Sequence, residues 1–338
     1  MQLWLRRVLG ALLLLGAAGL VAMTEQGVLD NRHAAERHGG QILDLGADAA
    51  PEAGQHGYVA RVAGTVKVVE SPYDPEFGQR AAVPVLTRHV EMFQWREVRV
   101  GSDVHYELDW VERPVDSSRF AQSAGHYNPD RFPIQGKQFD AGQVRVGGYA
   151  LSPPLLHALP GGDLLTPDIK SLPPNLAASF ALNGNYLTTS AKPEQPRLGD
   201  LRVSWEAVPV QEVTVFAQID GDQLVPASHA ADGKGFDVQV GNRALVDVAP
   251  DVPQSPSFVW LRRILALLLG MFGAFLLLPE RPRTYHDLVL SVGAGSLLVG
   301  AVASVLWLGT DIAIGGAWFI VALAGLGLAV WRIRAQPL

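Results

Sequence analysis

The chain has 338 residues, is 48% hydrophobic and has a positive mean hydropathy, too apolar for a protein wholly in water, which places part of it in lipid. The absence of cysteine excludes a disulfide framework and any thiolate metal site. Residues 24–256 carry 19 basic and 30 acidic side chains, and that net charge of −11 repels nucleic acid and argues against it as a partner.

In chain order, Val8–Met23 follows Arg6 and Arg7 and contains no charge. A cleavable signal peptide and an uncleaved signal anchor both begin this way. Ala17, Ala18 and Ala22 keep cleavage open, but Leu20 and Met23 are poor cleavage positions, so residues 1–23 are read as an N-terminal signal-anchor transmembrane helix. Residues 24–56, rich in Gly, Ala, Asp and His and weakly periodic, read as a tether with a short helix or strand. From Gly57 the chain turns β-branched, and "GYVARVAGTVKVVES", with a glycine on each side of a bend, reads as paired strands. "SPYDPEFGQR" is a Pro/Gly loop.

The clearest local signal is "VEMFQWREVRV" followed by Gly101-Ser102-Asp103 and then Val104–Trp110, which alternates apolar and polar residues with period two. If Val100 faces Asp103, the ribbon places Phe93 opposite Trp110 and Trp95 opposite Leu108, aromatic pairs expected to fill a core. A one-residue slip would lose the match. Further strands are expected at Gly142–Leu151, Leu201–Val208 and Glu212–Asp220, the last with Val213, Val215, Ala217 and Ile219 on one face. "DGDQLVP" reads as a turn into a short strand, and "DGKGFDVQVGNRALVDV" as a hairpin or strand pair. Pro153–Ser171 and Leu172–Asn183 can each hold a short helix. Residues 57–256 thus form a mostly β domain, with two successive β modules split near 150–195 as one option.

Three apolar segments close the chain. Residues 288–308 and 312–331 are each long enough to span a bilayer, which takes about 20 apolar residues. Residues 257–278 span if Arg262 and Arg263 reach the headgroups from the helix end. The fold class is therefore an α+β membrane protein with one N-terminal and three C-terminal transmembrane helices around a mostly β extracytoplasmic domain. Arg6 and Arg7, Arg281 and Arg283, and Arg332 and Arg334 put both termini in the cytoplasm and residues 24–256 on the far side; Arg262 and Arg263 violate that rule. Asp287 and Asp311 sit at helix ends, where charges are cheap. Gly293, Gly295, Ser296, Gly300, Gly315, Gly316, Gly325 and Gly327 allow close helix packing within the chain or between copies.

Neither a nucleotide-binding nor a nucleophile motif is present, and there is no N-glycosylation sequon. The most site-like group is His126 in "AGHYNPD", with Glu91 and Glu112 facing each other at the open end of the ribbon. Like charges set across strands are unfavourable unless a proton or cation lies between them. This makes Glu91, Glu112 and His126 candidate metal ligands; the plainer reading is a turn histidine and two diverging glutamates. No cofactor is implied.

The motifs "DPEFG" (74–78), "VEMFQWRE" (90–97), Trp110 with "SSRF" (117–120), "GHYNP" (125–129), "VGGYALS" (146–152), "LGDLRVSW" (198–205) and "VTVFAQIDGDQLVPAS" (213–228) together resemble the transmembrane protein 43 (LUMA) family over residues 57–331. The residues carrying the resemblance include Glu91, Phe93, Gln94, Trp95, Trp110, Gly125, His126, Asn128, Pro129, Gly199, Asp200 and Arg202. The resemblance implies one N-terminal helix, a large lumenal domain and three C-terminal helices. It also implies a non-enzymatic role in organising membrane protein complexes, with other membrane proteins, the lipid bilayer and further copies of the chain as partners. The Ala/Gly/Leu/Arg-rich ends point to a bacterial homologue in the inner membrane with a periplasmic domain. A metal-dependent or lipid-acting enzyme and a lipid-binding module are the alternatives.

Overall fold

The computed structural model describes residues 2–253, 256–279 and 285–334; Arg281 and Arg283, counted above among the flanking basic residues, lie outside them. Helix α1 (Gln2–Arg37) opens the chain. The strands follow as β1 (Ile42–Ala47), β2 (Val59–Glu70), β3 (Tyr73–Asp74), β4 (Gln79–Arg80), β5 (Val85–Val100), β6 (Asp103–Val111), β7 (Lys137–Asp140), β8 (Gln143–Val146) and β9 (Tyr149–Leu151). A helical turn, α2 (Pro153–Leu156), precedes β10 (Asp163–Leu165), and α3 (Pro174–Ala177) precedes β11 (Ala181–Asn183) and β12 (Tyr186–Thr188). Then come β13 (Leu201–Ala207), β14 (Glu212–Asp220), β15 (Gln223–Val225), β16 (Asp237–Val240), α4 (Leu245–Val248) and the long helices α5 (Val259–Leu277), α6 (Tyr285–Trp307) and α7 (Ile312–Arg334). The chain divides into a helical unit, Met1–Glu36 with Ala249–Leu338, and a β unit, Arg37–Val248.

In the β unit, β2, β8, β9, β15 and β14 pair in a ring that returns to β2, with β1 added in parallel on β2 and β16 on β14. This small barrel encloses Val62, Val66, Val144, Val146, Tyr149, Val215, Ala217, Ile219 and Leu224, and Leu155 of α2 joins the same core. The expected row Val213, Val215, Ala217, Ile219 is fully inside. The opposite row is covered as well, Thr214 donating to Gly241 O at 2.7 Å and Phe216 meeting the edge of His38. The stretch expected to form paired strands is one continuous strand, β2, and Gly64 within it admits a close approach, since a Cβ there would come within 3.0 Å of Asp48 Oδ1 and 3.1 Å of Gly147 N.

The second sheet has the order β11-β12-β13-β5-β6, with β10 on β13 and β7 on β5. Its core holds Phe77, Leu86, Val90, Met92, Leu187, Leu201, Val203 and Trp205. The two sheets are therefore not successive modules: the strands of the second lie between β2 and β8 and between β9 and β14. The segment read as a Pro/Gly loop is a tight β3–β4 turn that plants Phe77 in this core and buries Asp74. Asp74 accepts from Arg88 Nη1 with both oxygens at 3.0 Å and from Trp205 Nε1 at 3.1 Å. "DGKGFDVQVGNRALVDV" yields one strand and the turn α4 rather than a hairpin.

Among the described residues, the helical unit contains four helices long and apolar enough to span a membrane. Helix α1 continues to Arg37, so the first part of the expected tether is helical, and β1 lies within the rest of it. Close approach is set by small residues: a Cβ on Gly293 would meet Gly325 O at 2.7 Å, one on Gly300 Ala322 N at 2.6 Å, and one on Gly295 Met271 N at 2.6 Å. Gly315 packs against Trp307 and Ser296 against Gly325, whereas Gly316 and Gly327 face open space. Gly10 and Gly273 bring α1 onto α5 in the same way, each built Cβ lying 2.9 Å from the other's carbonyl oxygen.

Polar ties accompany this packing. Arg6 donates to Leu278 O at 3.0 Å, at the C-terminal end of α5. At the other end of the unit, Glu25, fully buried, accepts from Arg263 Nε and Nη2 at 2.7 and 2.8 Å and from Trp307 Nε1 at 2.8 Å. Asp311 caps α7 through Ala313 N and Ile314 N and takes Arg32 Nη1 at 2.6 Å. Asp287, expected to be a cheap helix-end charge, is instead buried 3.7 Å from Arg332.

Candidate functional site

Because strand side chains alternate, β5 sorts its residues onto two faces. Arg88, Val90, Met92 and Gln94 point inward, and Glu91, Phe93 and Trp95 lie half-buried on the outer face. The β5–β6 register is the expected one, from Val100↔Asp103 through Trp95↔Leu108 to Phe93↔Trp110, whose rings lie 5.3 Å apart. The face is not the expected one. Val90 and Met92 take the core against β13, which leaves the Phe93–Trp110 row on the outside with Leu108 exposed. The periodicity identified the row but not which side of it the sheet's hydrophobic layer would cover.

Arg202 of β13 joins this outer face. It forms a two-pronged ion pair with Glu91, Nη2–Oε1 at 2.7 Å, and its guanidinium lies 4.9 Å above the Trp110 ring and 5.9 Å from that of Tyr186. Tyr186, Arg202, Trp110 and Phe93 thus form one strip across β12, β13, β6 and β5.

Beyond Met92, the edge of β5 that β13 has left is closed by other motif residues. Gly199 N donates to Phe93 O and Phe93 N to Asp200 O, both at 2.9 Å, and the Asp200 carboxylate accepts from Arg197 N. Gly199 holds this turn at φ 89°, a conformation glycine reaches without strain, and packs near Pro129. Asn128 then imitates a strand with its side-chain amide. Oδ1 accepts from Trp95 N at 2.7 Å, and Nδ2 donates to Trp95 O at 2.9 Å and Val115 O at 3.2 Å. Buried Gln94 anchors the same segment, donating to Arg113 O and accepting from Val115 N.

His126, beside the left-handed Gly125, stacks on Tyr106 at 4.0 Å and meets the edge of Trp95 at 4.7 Å, with Nδ1 3.0 Å from Gln122 O. The loop is pinned again by Glu97, which accepts from Ala121 N at 2.5 Å and from Tyr106 Oη at 3.1 Å. The Ala121 amide, and after it Arg99, hold the Glu97 carboxyl below the usual range, while burial raises the Tyr106 phenol.

The three candidate metal ligands each have another partner. Glu91 is neutralised by Arg202, Glu112 Oε1 lies 3.0 Å from His89 Nδ1, and His126 packs between Tyr106 and Trp95 as a turn histidine. Among the described residues no group of three or more His, Asp or Glu is placed to hold a metal ion. Glu25, the charge that Arg263 answers, was not singled out in the sequence, although a basic pair on the wrong side of a span is itself a signal of a buried counter-charge.

Motif residues around Trp110, in 125–129 and in 199–202 therefore converge on β5, whereas those of 146–152 and 213–228 belong to the first sheet. A family model described as Transmembrane protein 43 matches residues 92–321, more than half of the chain. The chain belongs to the transmembrane protein 43 family. The matched stretch includes Phe93 to Arg202 of the outer face, α5, α6 and part of α7; α1, β2 and the Asp74 turn precede it. Transmembrane protein 43 of Homo sapiens and of Mus musculus are each 28% identical over 201 residues, 53% of this chain and 49% of theirs. The Drosophila melanogaster homologue is 28% identical over 191 residues, 52% of this chain and 50% of its own. The chain thus spans about half the length of these relatives. No solved structure matches it.

Proposed function

We propose that this member of the transmembrane protein 43 family is a non-enzymatic organiser of membrane proteins, holding partners through the outer face of its second sheet and self-associating through its helices. The observation that carries the reading is the Tyr186–Arg202–Trp110–Phe93 strip. Tyr, Trp and Arg are the residues that dominate binding energy at protein interfaces, and here they are pre-ordered by one another rather than left flexible. The reading takes residues 24–256 as extracytoplasmic and both termini as cytoplasmic. Glu25 supports that orientation by offsetting Arg263, one of the two charges that contradict it. In a bacterial cell this corresponds to the inner membrane and the periplasm.

A photocrosslinking side chain at Leu108, at the exposed end of the strip, tests the proposal in native membranes. Defined membrane proteins are expected to be captured from Leu108 but not from Val240 on the first sheet, and Trp110→Ala is expected to reduce capture about tenfold, as loss of an interface anchor does. Equal capture from both positions, or none, would refute it. Since the chain has no cysteine, single cysteines at positions 52 and 336 probed with an impermeant thiol reagent report the orientation directly.

A further inference from the structure

Arg263 lies four residues into α5, about 6 Å from the start of the helix and so at the level where headgroups meet acyl chains. Its Nε and Nη2 are used by Glu25 and its guanidinium lies 5.5 Å from the Trp318 ring, but Nη1 has no acceptor among the described residues. Arg263 also borders a cleft of about 440 Å³ whose other walls are Ala313, Ile314, Ala317, Trp318 and Val321 of α7. Ala313, Ala317 and Val321 recur every four residues and give α7 a smooth apolar wall there. The neighbouring Arg262 is half-buried and has no ion-pair partner among the described residues. Arg262 is not among the residues lining the cleft, but it adjoins Arg263 in the chain, and because Glu25 offsets only one of the two arginine charges, this end of α5 keeps one net positive charge.

We propose that the α5–α7 cleft binds a single phospholipid with a net negative headgroup. Its phosphodiester accepts from Arg263 Nη1, Arg262 supplies the uncompensated charge, and an acyl chain lies along Ala313, Ala317 and Val321. A free phosphate would satisfy the arginine but leave the apolar wall bare, so the occupant is the lipid. The inference is independent of the organiser reading, since the second sheet takes no part in it.

The test is native mass spectrometry of the full chain released from bilayers of phosphatidylglycerol and phosphatidylethanolamine. One phosphatidylglycerol per chain is expected to survive activation that strips phosphatidylethanolamine. Arg262→Gln, which leaves the Glu25–Arg263 pair in place, is expected to reduce that bound fraction about tenfold, as removal of the one uncompensated charge near a low-dielectric site implies. Ala317→Trp, which fills the cleft, is expected to abolish it, and an unchanged melting temperature shows that the variant folds. If Ala317→Trp does not fold, Arg262→Gln decides alone. Equal retention of both lipids, retention unchanged in the variants, or displacement by millimolar inorganic phosphate would each overturn the proposal.

Discussion

Asn128→Ala separates the outer face from the rest of the β unit. The substitution removes three side-chain hydrogen bonds, one from Trp95 N and two to Trp95 O and Val115 O, and it leaves those backbone groups to water. At about 1 kcal/mol net for each bond the loss is about 3 kcal/mol, reduced to roughly 2 because the site is half-buried and water replaces part of what is lost. That corresponds to about 30-fold more frequent local opening. Hydrogen exchange by mass spectrometry on the full chain should show this increase in peptides covering 93–97 and 117–130, with β14 unchanged, because Val213–Ile219 belong to the other sheet. Asn128→Asp keeps the acceptor but sets a carboxylate against two carbonyl oxygens, and should be at least as disruptive. An increase below about threefold, or one matched in β14, would refute the idea that Asn128 acts as a local clasp.

Glu97 gives the same loop a pH dependence. A carboxyl held below its ordinary pKa stabilises the fold above the ordinary range and loses that contribution as pH falls through the folded value, so exchange over 117–126 should rise in acid, and Glu97→Gln should remove the pH dependence. Asp74→Ala removes the fully buried partner of Arg88, which keeps Glu76 at 2.6 Å, and should cost roughly 3 kcal/mol and lower the melting temperature by about 10 °C, whereas Asp74→Leu with Arg88→Met should recover part of it, the Trp205 Nε1–H being left without its acceptor. In detergent, Glu25→Ala should lower the melting temperature more than Glu25→Gln, which still accepts from Trp307 Nε1.

The parts of the structure that the sequence made legible are those set by local pattern. The ribbon from Met92 to Val111 and the strand Glu212–Asp220 follow from period-two alternation and a two-residue turn, and the helices from uninterrupted apolar length. The parts that stayed hidden depend on distant partners. Nothing near Gly64 signals that β2 would pair with β14 on one stretch and β8 on the next, and so run on as one strand. Phe93 and Trp110 look like core until Val90 and Met92 are seen to join Val203 and Trp205 in the core on the opposite face. Glu91 and Glu112 look like a repelling pair until Arg202 arrives from β13 and His89, on β5 itself, turns to Glu112. The end of α1 was obscured for another reason: past Met23 its sequence turns polar while remaining helical, and hydropathy reports only the membrane-embedded part.

The ring of strands around the first core also fixes an order of events during synthesis. The β5–β6 ribbon is complete as soon as Val111 has been made, and the second sheet can close once β13 follows. β2, translated before either, keeps the stretch that pairs Ala60 with Ala217 open until β14 appears. Long-range closure of this kind is slow and leaves an apolar strand waiting. The barrel can therefore seal only when Glu212–Asp220 has emerged, shortly before Val259 begins α5. Slowing translation between β16 and α5 should favour correct assembly, and deleting β14 should leave β2 as the segment that captures chaperones.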